Sequence, residues 1–393
     1  MACRIVDGNM HGLSIDFPAR LEIGSDVLGA VGRMCRPFGN RALIVSESVM
    51  REAGHIAALT DVLRNVGVEP MVFDELLPGS TAEVASEIAT LVRASKTQMI
   101  VALGGVRAMS LARIVANVAQ GKASVDDLMN GNPPEEALPC VEVPATFRHH
   151  FMLRPECVAR NPRSGAAQIV RVAAGTVQGV VVDAALTATM SRKYALAAIM
   201  DSLLAAVEAY STAEAAALLP ATVLERAISE LQASARTGAR NPGDTRYRVR
   251  AAEAGVLTAF GISASGQGMG GALAYALNAR LRLPTSWVAT ILLPHVVDQL
   301  VTRAPEQCAA IARVLGEPVG GIIAADDAPR APRAIRKVLS QLDLPTRLRD
   351  LDVTLDELIE ATSDADAGGF PFLAKVPGGT GTIDLRHLVS SAY

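Results

Sequence analysis

The first third of the chain alternates short apolar runs with helical stretches of roughly 10–15 residues, and this rhythm narrows the possible folds most. Residues 42–46 (ALIVS) are short, rich in branched side chains and bounded by Asn40 and Arg41, the pattern of a buried strand. A helical stretch follows from His55 to Asn65, apolar at Ile56, Leu59, Val62 and Leu63 and stopped by Gly67. The same reading gives a strand over 68–73, a helix from Thr81, a strand over 99–105 (MIVALGG) and a helix over 107–119. Further strands are expected at 138–143 (LPCVEV) and 177–183 (VQGVVVD). Strands separated by helices of that length pair in parallel, so the expected class is α/β with a doubly wound, mainly parallel sheet.

From Ser191, a candidate N-cap, the pattern turns almost continuously helical to about Leu342, with breaks expected at Pro220, 241–243, Pro284, Pro294 and Pro305. The expected domains are an α/β, dinucleotide-binding-like domain over 1–190 and an all-helical domain over 191–393. Irregular loops are expected at 120–137, 155–166 and 364–382. Hydrophobic residues at 50% and charged residues at 20% exclude a disordered chain. A net charge of −3 provides no field that would draw the molecule to nucleic acid. The cysteines at 3, 35, 140, 157 and 308 form no CxxC pair and read as reduced, mostly buried thiols. The first residues lack the charged and apolar regions of a signal peptide, and no apolar run approaches the roughly 18 residues of a spanning helix. A cytoplasmic protein without membrane or nucleic-acid partners is the expectation.

Gly104-Gly105, where a strand runs into a helix, is a place where a phosphate can approach backbone N–H groups at a helix N-terminus. Its surroundings carry more information. ALIVSESVM, VEPMVFDELLPGST, MIVALGG, LPCVEVPAT, GVVVDAALTATMSRKYALAAIMDSLLAAVEAY and LPTSWVATILLPHV occur in that order. This run resembles the iron-containing (group III) alcohol dehydrogenase family, including its maleylacetate reductase branch, over essentially the whole chain. The resemblance implies the dehydroquinate synthase-like fold of that family: a dinucleotide-binding α/β domain, a helical domain and an active-site cleft between them. It also implies a homodimer.

Position by position, the family's chemistry has been replaced. Its metal is held by an Asp and a His four apart on one helix and by two later His residues. Those positions are Asp201, Ala205, Gln267 and Thr285 here, and a further His near the reacting carbon corresponds to Gly271. One carboxylate, one amide and one hydroxyl suit a divalent transition metal poorly, so no iron or zinc is expected. The family's Gly-Gly-Gly-Ser turn is Gly104-Gly105-Val106-Arg107, and the Asp three residues beyond it is Ser110. Its second phosphate-side loop, rich in Thr and Gly, is ATFRHHFML (145–153), so Arg148, His149, His150 and Phe151 stand where small residues do in the family. The adenosine side is closer to the family: Glu47 follows the first strand where an acid reads the ribose, and Pro78-Gly79-Ser80-Thr81 resembles its next turn.

The candidate cofactor contacts are therefore Glu47, Gly104, Gly105, Arg107, Ser110 and Thr146, with NAD(P)H binding weak or lost. Candidate substrate contacts are Arg107, Arg148, Gln267 and Thr285; with Arg154 the basic groups suggest an anion site for an acidic small molecule. Candidate catalytic groups are Arg148, His149, His150 and Asp201. On an extended loop the adjacent His149 and His150 face opposite ways, so at most one enters the site. His295 reads as structural, and His11, His55 and His387 have no arguable partners. Three functions follow: a metal-independent NAD(P)H-dependent reductase of a carboxylate-bearing oxo or enone substrate, a repurposed enzyme doing non-redox acid–base chemistry through a histidine, or a catalytically inactive partner of an active paralogue.

Overall fold

Runs of branched and small apolar residues that must be buried on both faces become the strands of a parallel sheet in the computed structural model. It describes residues 20–76, 81–212, 218–266, 268–321, 323–366 and 384–393. The chain divides into two units, residues 1–189 and 190–393.

In the first unit the order is β1 (Arg20–Gly24), α1 (Ala30–Cys35), β2 (Arg41–Val45), α2 (Ser48–Glu52), α3 (His55–Arg64), β3 (Glu69–Phe73), α4 (Thr81–Ser95), β4 (Met99–Gly104) and α5 (Val106–Val118). It continues with α6 (Val125–Met129), β5 (Cys140–Pro144), β6 (Glu156–Arg160), β7 (Ala167–Arg171) and β8 (Val177–Asp183). Six strands form one sheet in the order β1-β8-β5-β4-β2-β3, every neighbouring pair parallel. Alternate residues feed opposite faces. Leu43, Val45, Ile100 and Ala102 pack with α4 and α5, while Ala42, Ile44, Val101, Leu103 and Val143 pack with α1 and α3. The doubly wound α/β expectation is met. Pro70 sits in β3, the edge strand, where a missing N–H breaks no ladder. Gly67 ends the turn after α3 at φ +76°, a left-handed conformation that glycine adopts without a steric cost.

The chain runs from β2 outward to β3, returns past β2 to β4, and goes on to β5 on the far side. The direction of winding thus reverses between β2 and β4. At such a switch point the loops diverge and leave a crevice beyond the carboxyl ends of the strands. The hydroxyl of Ser46 ties the two strand ends together by donating to the Leu103 carbonyl at 2.9 Å.

The two expected loops in this unit carry structure. Residues 120–137 contain α6, whose N-cap Ser124 and Asp127 form a reciprocal capping box. Residues 155–166 contain β6, which pairs antiparallel with β7 as a separate two-stranded sheet. Its ECVAR and AQIVR segments are only five residues long and mix polar with apolar side chains, too short for periodicity to mark.

The second unit is helical throughout its described residues: α7 (Arg192–Tyr210), α8 (Leu218–Arg240), α9 (Arg246–Ser265), α10 (Met269–Leu281), α11 (Thr285–Arg303), α12 (Pro305–Val314), α13 (Ala324–Asp327), α14 (Arg330–Leu339), α15 (Leu355–Asp366) and α16 (Leu385–Ala392). Ser191 caps α7 by accepting the Tyr194 N–H at 3.3 Å. Small residues let these helices approach closely. A Cβ at Gly261 of α9 would lie 2.2 Å from a Leu224 methyl of α8.

Two expected breaks are absent. Pro220 occupies the first turn of α8, where its missing N–H has no intrahelical acceptor to lose. Pro294 lies inside α11, whose middle is buried on residues 288–294, so packing holds the helix through the lost hydrogen bond. The segment 367–382 of the third expected loop lies outside the described residues. No described helix is long and apolar enough to cross a membrane.

Candidate functional site

Strands β2, β4 and β5 are neighbours, and the loops at their carboxyl ends carry most of the candidate residues of the first unit. Glu47 follows β2, Gly104-Gly105 and Arg107 follow β4, and Thr146 to His150 follow β5. The N–H of Ala145 donates to the Gly104 carbonyl at 2.9 Å, which holds the second and third loops side by side.

At the switch point an internal carboxylate already serves the helix terminus. Glu47 Oε2 accepts the Gly105 N–H at 3.0 Å, and its Oε1 pairs with Arg107 at 3.0 Å. An anion at a helix N-terminus is favoured by the free N–H groups and the dipole, and Glu47 supplies that anion from within the chain. Gly104, at φ +135°, is required here: a Cβ on it would lie 2.9 Å from the Glu47 carboxylate. The residues fit a dinucleotide in two respects, a strand-end acid that can accept ribose hydroxyls and a side-chain-free turn before a 13-residue helix. A pyrophosphate at that turn needs the Gly105 N–H released by Glu47, and the half-exposed Arg107 can then supply its counter-charge.

The loop after β5 differs from the extended loop assumed from sequence. Met152 N–H bonds to the His149 carbonyl at 3.1 Å and Arg154 N–H to the Phe151 carbonyl at 3.0 Å, so the chain turns on itself. Arg148, His149 and His150 are consequently all buried, and neither histidine points to solvent. Phe151 is buried as well. Thr146 Oγ1 accepts the Arg148 N–H at 3.4 Å and braces the turn. Arg154 pairs locally with Glu156 at 2.5 Å. The hydroxyl of Ser110 accepts the Val158 N–H at 3.3 Å, binding α5 to β6.

Beneath this loop lies a group of charges that the candidate residues did not include. Arg113 of α5 and Glu142 of β5 are fully buried and bonded twice, Nε to Oε1 at 2.6 Å and Nη2 to Oε2 at 2.9 Å. Arg113 Nη1 donates to the carbonyls of Phe151, Arg154 and Glu156 at 3.0, 2.8 and 2.7 Å, clamping the loop from below. Glu142 Oε2 also meets His149 Nε2 at 2.6 Å. Burial by itself would raise the Glu142 carboxyl, but the Arg113 charge and then His149 outweigh it and hold the group down at about 2. His150 moves oppositely: burial first, then Arg148 and His149, push it well below the usual histidine range. Glu142 was legible as a charged residue in a strand with two buried faces, which must be paired.

In the second unit two of the positions that the resemblance assigns to the metal, Asp201 and Ala205, are buried in packing. Asp201 is buried on α7, and its Oδ2 accepts the Ser286 hydroxyl at 2.8 Å. Ala205, one turn on, is buried and offers no donor atom. Thr285 is the first residue of α11, and Gln267 lies outside the described residues. The sequence reading missed Glu208, seven residues after Asp201 on the same helix. Its carboxylate accepts the N–H groups of Gly270 and Gly271 at 2.6 and 3.1 Å, capping α10. Burial lifts Glu208 to about 7, the two N–H groups pull it down, and nearby Asp201 raises it. A Cβ at Gly268 would lie 2.3 Å from the Glu208 carboxyl carbon. Among the described residues no group of three or more His, Cys, Asp or Glu could hold a metal ion. One carboxylate already bonded to a hydroxyl, beside an alanine, does not fit iron or zinc, whose sites need several N, S or O donors.

His55 bonds Thr189 through Nε2 at 2.9 Å, and His387 lies 3.4 Å from Ser391 on its own helix. Burial and Arg336 lower His295 against the opposing Asp298. His11 and Cys3 lie outside the described residues. Cys35, Cys140, Cys157 and Cys308 are free and buried, as expected.

Known proteins share this architecture. The profile of iron-containing alcohol dehydrogenase matches residues 18–149, and that of the Fe-containing alcohol dehydrogenase family, C-terminal, matches residues 195–368. The 1,3-propanediol dehydrogenase of Klebsiella pneumoniae is 25% identical over 90% of this chain and 89% of its own. A crystal structure of 1,3-propanediol oxidoreductase superposes with a TM-score of 0.88 at 22% identity, over 97% of this chain and 99% of that one. Sulfoacetaldehyde reductase from Bifidobacterium kashiwanohense, solved in complex with NAD+, gives 0.81 at 18% identity, over 97% and 99%. With both family profiles matched over well more than half of its length, the chain belongs to the iron-containing alcohol dehydrogenase family of oxidoreductases.

Proposed function

We propose that this chain is a nicotinamide-dependent reductase that works without the family's metal and takes an acidic substrate bearing a carboxylate near its reacting carbonyl or enone. The observation that carries this reading is the exchange of chemistry between two sets of positions. Asp201 is engaged by Ser286 and Ala205 has no donor, while the ends of β4 and β5 have gained Arg107, Arg148 and His149. In a metal-dependent enzyme a Lewis acid polarises the carbonyl; positive and proton-donating side chains can do the same work. Glu47 would hold the ribose of the dinucleotide, and Gly104, Gly105 and Arg107 its phosphates. The bound nicotinamide would supply the hydride. Arg148 is the group for the substrate carboxylate, since guanidinium binds carboxylates in two-pronged fashion.

Fluorescence titration with NADH and NADPH, with elemental analysis of the same preparation, tests this reading. Binding of either nucleotide by protein free of stoichiometric metal is the expected result. Iron or zinc at one per chain, lost in Asp201→Ala, would overturn the metal-free part. Failure to bind either nucleotide would overturn the redox part. One observation favours a second reading in that event: Glu47 already occupies the Gly105 N–H, which suits an enzyme doing acid–base chemistry on an acidic molecule with no dinucleotide.

A further inference from the structure

Arg113, Glu142 and His149 form a line of buried groups drawn from α5, β5 and the loop after β5. Glu142 is ionised, because the fully buried Arg113 guanidinium is bonded to it twice, so both its oxygens can only accept. The nitrogen of His149 that faces it at 2.6 Å must therefore carry the hydrogen. Neutral His149 is thereby fixed with its proton on Nε2 and its lone pair on Nδ1. Nδ1 is itself buried and has no hydrogen-bond partner among the described residues. Such an acceptor is left without a partner at a cost that a purely structural histidine has no reason to bear. The geometry points to Nδ1 of His149 as the atom that passes a proton to and from the substrate oxygen, with Glu142 and Arg113 as its positioning residues. This inference takes its substrate class from the reductase reading above.

The step is a simple exchange. The Nδ1–H bond of the His149 imidazolium breaks as an O–H bond forms on the oxyanion developing at the substrate carbonyl, and the imidazolium becomes neutral imidazole. Glu142 stays ionised throughout and balances the imidazolium charge, as a carboxylate behind a catalytic imidazole does. The charged and titratable groups around this line of three are Cys140 on β5, Glu156 and Cys157 on β6, and, beside His149 itself, Glu142 on β5 and Arg148 and His150 on its own loop. Of the two adjacent histidines, only His149 meets a carboxylate. His150 is held neutral by burial and by Arg148, so it is the wrong candidate for a group that must gain a proton.

Nitrogen-15 NMR of the six ring-labelled histidines tests the assignment on the intact protein. The His149 signals are those missing from His149→Asn. The expected pattern in the free protein is a protonated Nε2 and a pyridine-type Nδ1. Addition of oxamate, an unreactive analogue of a 2-oxo acid, to protein mixed with NADH should shift Nδ1 and leave Nε2 in place. A proton on Nδ1 with Nε2 bare would overturn the inference, and so would an Nδ1 signal that does not respond to oxamate. Glu142→Gln should abolish the fixed tautomer. If that variant fails to fold, the wild-type spectra with and without oxamate decide alone. The nucleotide titration can fail while Nδ1 still answers oxamate without NADH, so the two ideas fall separately.

Discussion

Glu142 and Glu208 are both completely enclosed, yet burial leaves one ionised to about pH 2 and the other protonated up to about pH 7. The difference lies in what each carboxylate meets. Glu142 faces a guanidinium with full charge, and Glu208 faces two backbone N–H groups and the like charge of Asp201. Partial charges at a helix terminus compensate a buried carboxylate less completely than an opposite ion does. The first unit thus holds its loop after β5 with an ion pair, whereas the second unit closes α10 with an acid that is easily neutralised.

The strongest way to break this comparison is to remove the opposite ion. Arg113→Met leaves Glu142 buried without its counter-charge and three loop carbonyls without their donor. A loss of about 3–5 kcal/mol in urea unfolding is expected. Combining it with Glu142→Leu should return only part of that loss, because the carbonyls of Phe151, Arg154 and Glu156 still lack a donor. Full recovery by the double variant would mean that the clamp on the loop contributes little.

The next largest effect is a slope with pH, and the two acids give opposite signs. Glu142 is depressed in the folded state, so its contribution is present above the ordinary carboxylate range and is lost as pH falls toward 2. Glu208 is raised, so the folded state keeps a proton that the unfolded chain has released. Stability therefore falls between about pH 4.5 and 7, by about 2–3 kcal/mol if Glu208 alone is responsible. In Glu208→Gln this slope should disappear from melting curves taken at pH 5, 6 and 7. An unchanged slope would put the titration elsewhere.

The smallest expected effect concerns the third internal carboxylate, Glu47, which is partly exposed and shares both a helix terminus and an arginine. Removing it in Glu47→Ala frees the Gly105 N–H and Arg107 for an external anion. Calorimetric titration with inorganic pyrophosphate should show binding tightened by about tenfold, equivalent to about 1.4 kcal/mol. Weaker binding in the variant would mean that Glu47 organises the turn without competing for it.

The fold was legible because its signals are local. Branched runs, Gly67 and the Ser191 cap each announce an element within a few residues. The Gly104-Gly105 turn and the loss of donors at Ala205 could be read in the same way. The buried pairs could not. Glu142 stands 29 residues from Arg113, and no spacing along the chain joins a strand residue to that face of a helix. Glu208 was hidden for another reason: its partners are backbone groups of Gly270 and Gly271, which any sequence offers. Both acids nevertheless left a trace: Glu142 is the single charge in its strand, and Glu208 follows five apolar residues, 203–207. The histidine pair was misread for want of a turn signal, since RHHFML carries neither glycine nor proline to suggest one.

On the metal-free reading proposed above, Ala205 is a small residue that makes a change of chemistry hard to reverse. It is enclosed on α7 between the turns that carry Asp201 and Glu208. Reintroducing an imidazole there would have to open a packed interior, at a cost of about 1–3 kcal/mol before any ion arrives. The first step back toward a metal site is therefore a destabilising one with nothing yet gained, because the remaining ligand positions would still lack imidazoles. Under that reading the chain stands behind a ratchet: selection can refine the polar loop after β5 one residue at a time, while a metal site can return only through several substitutions together.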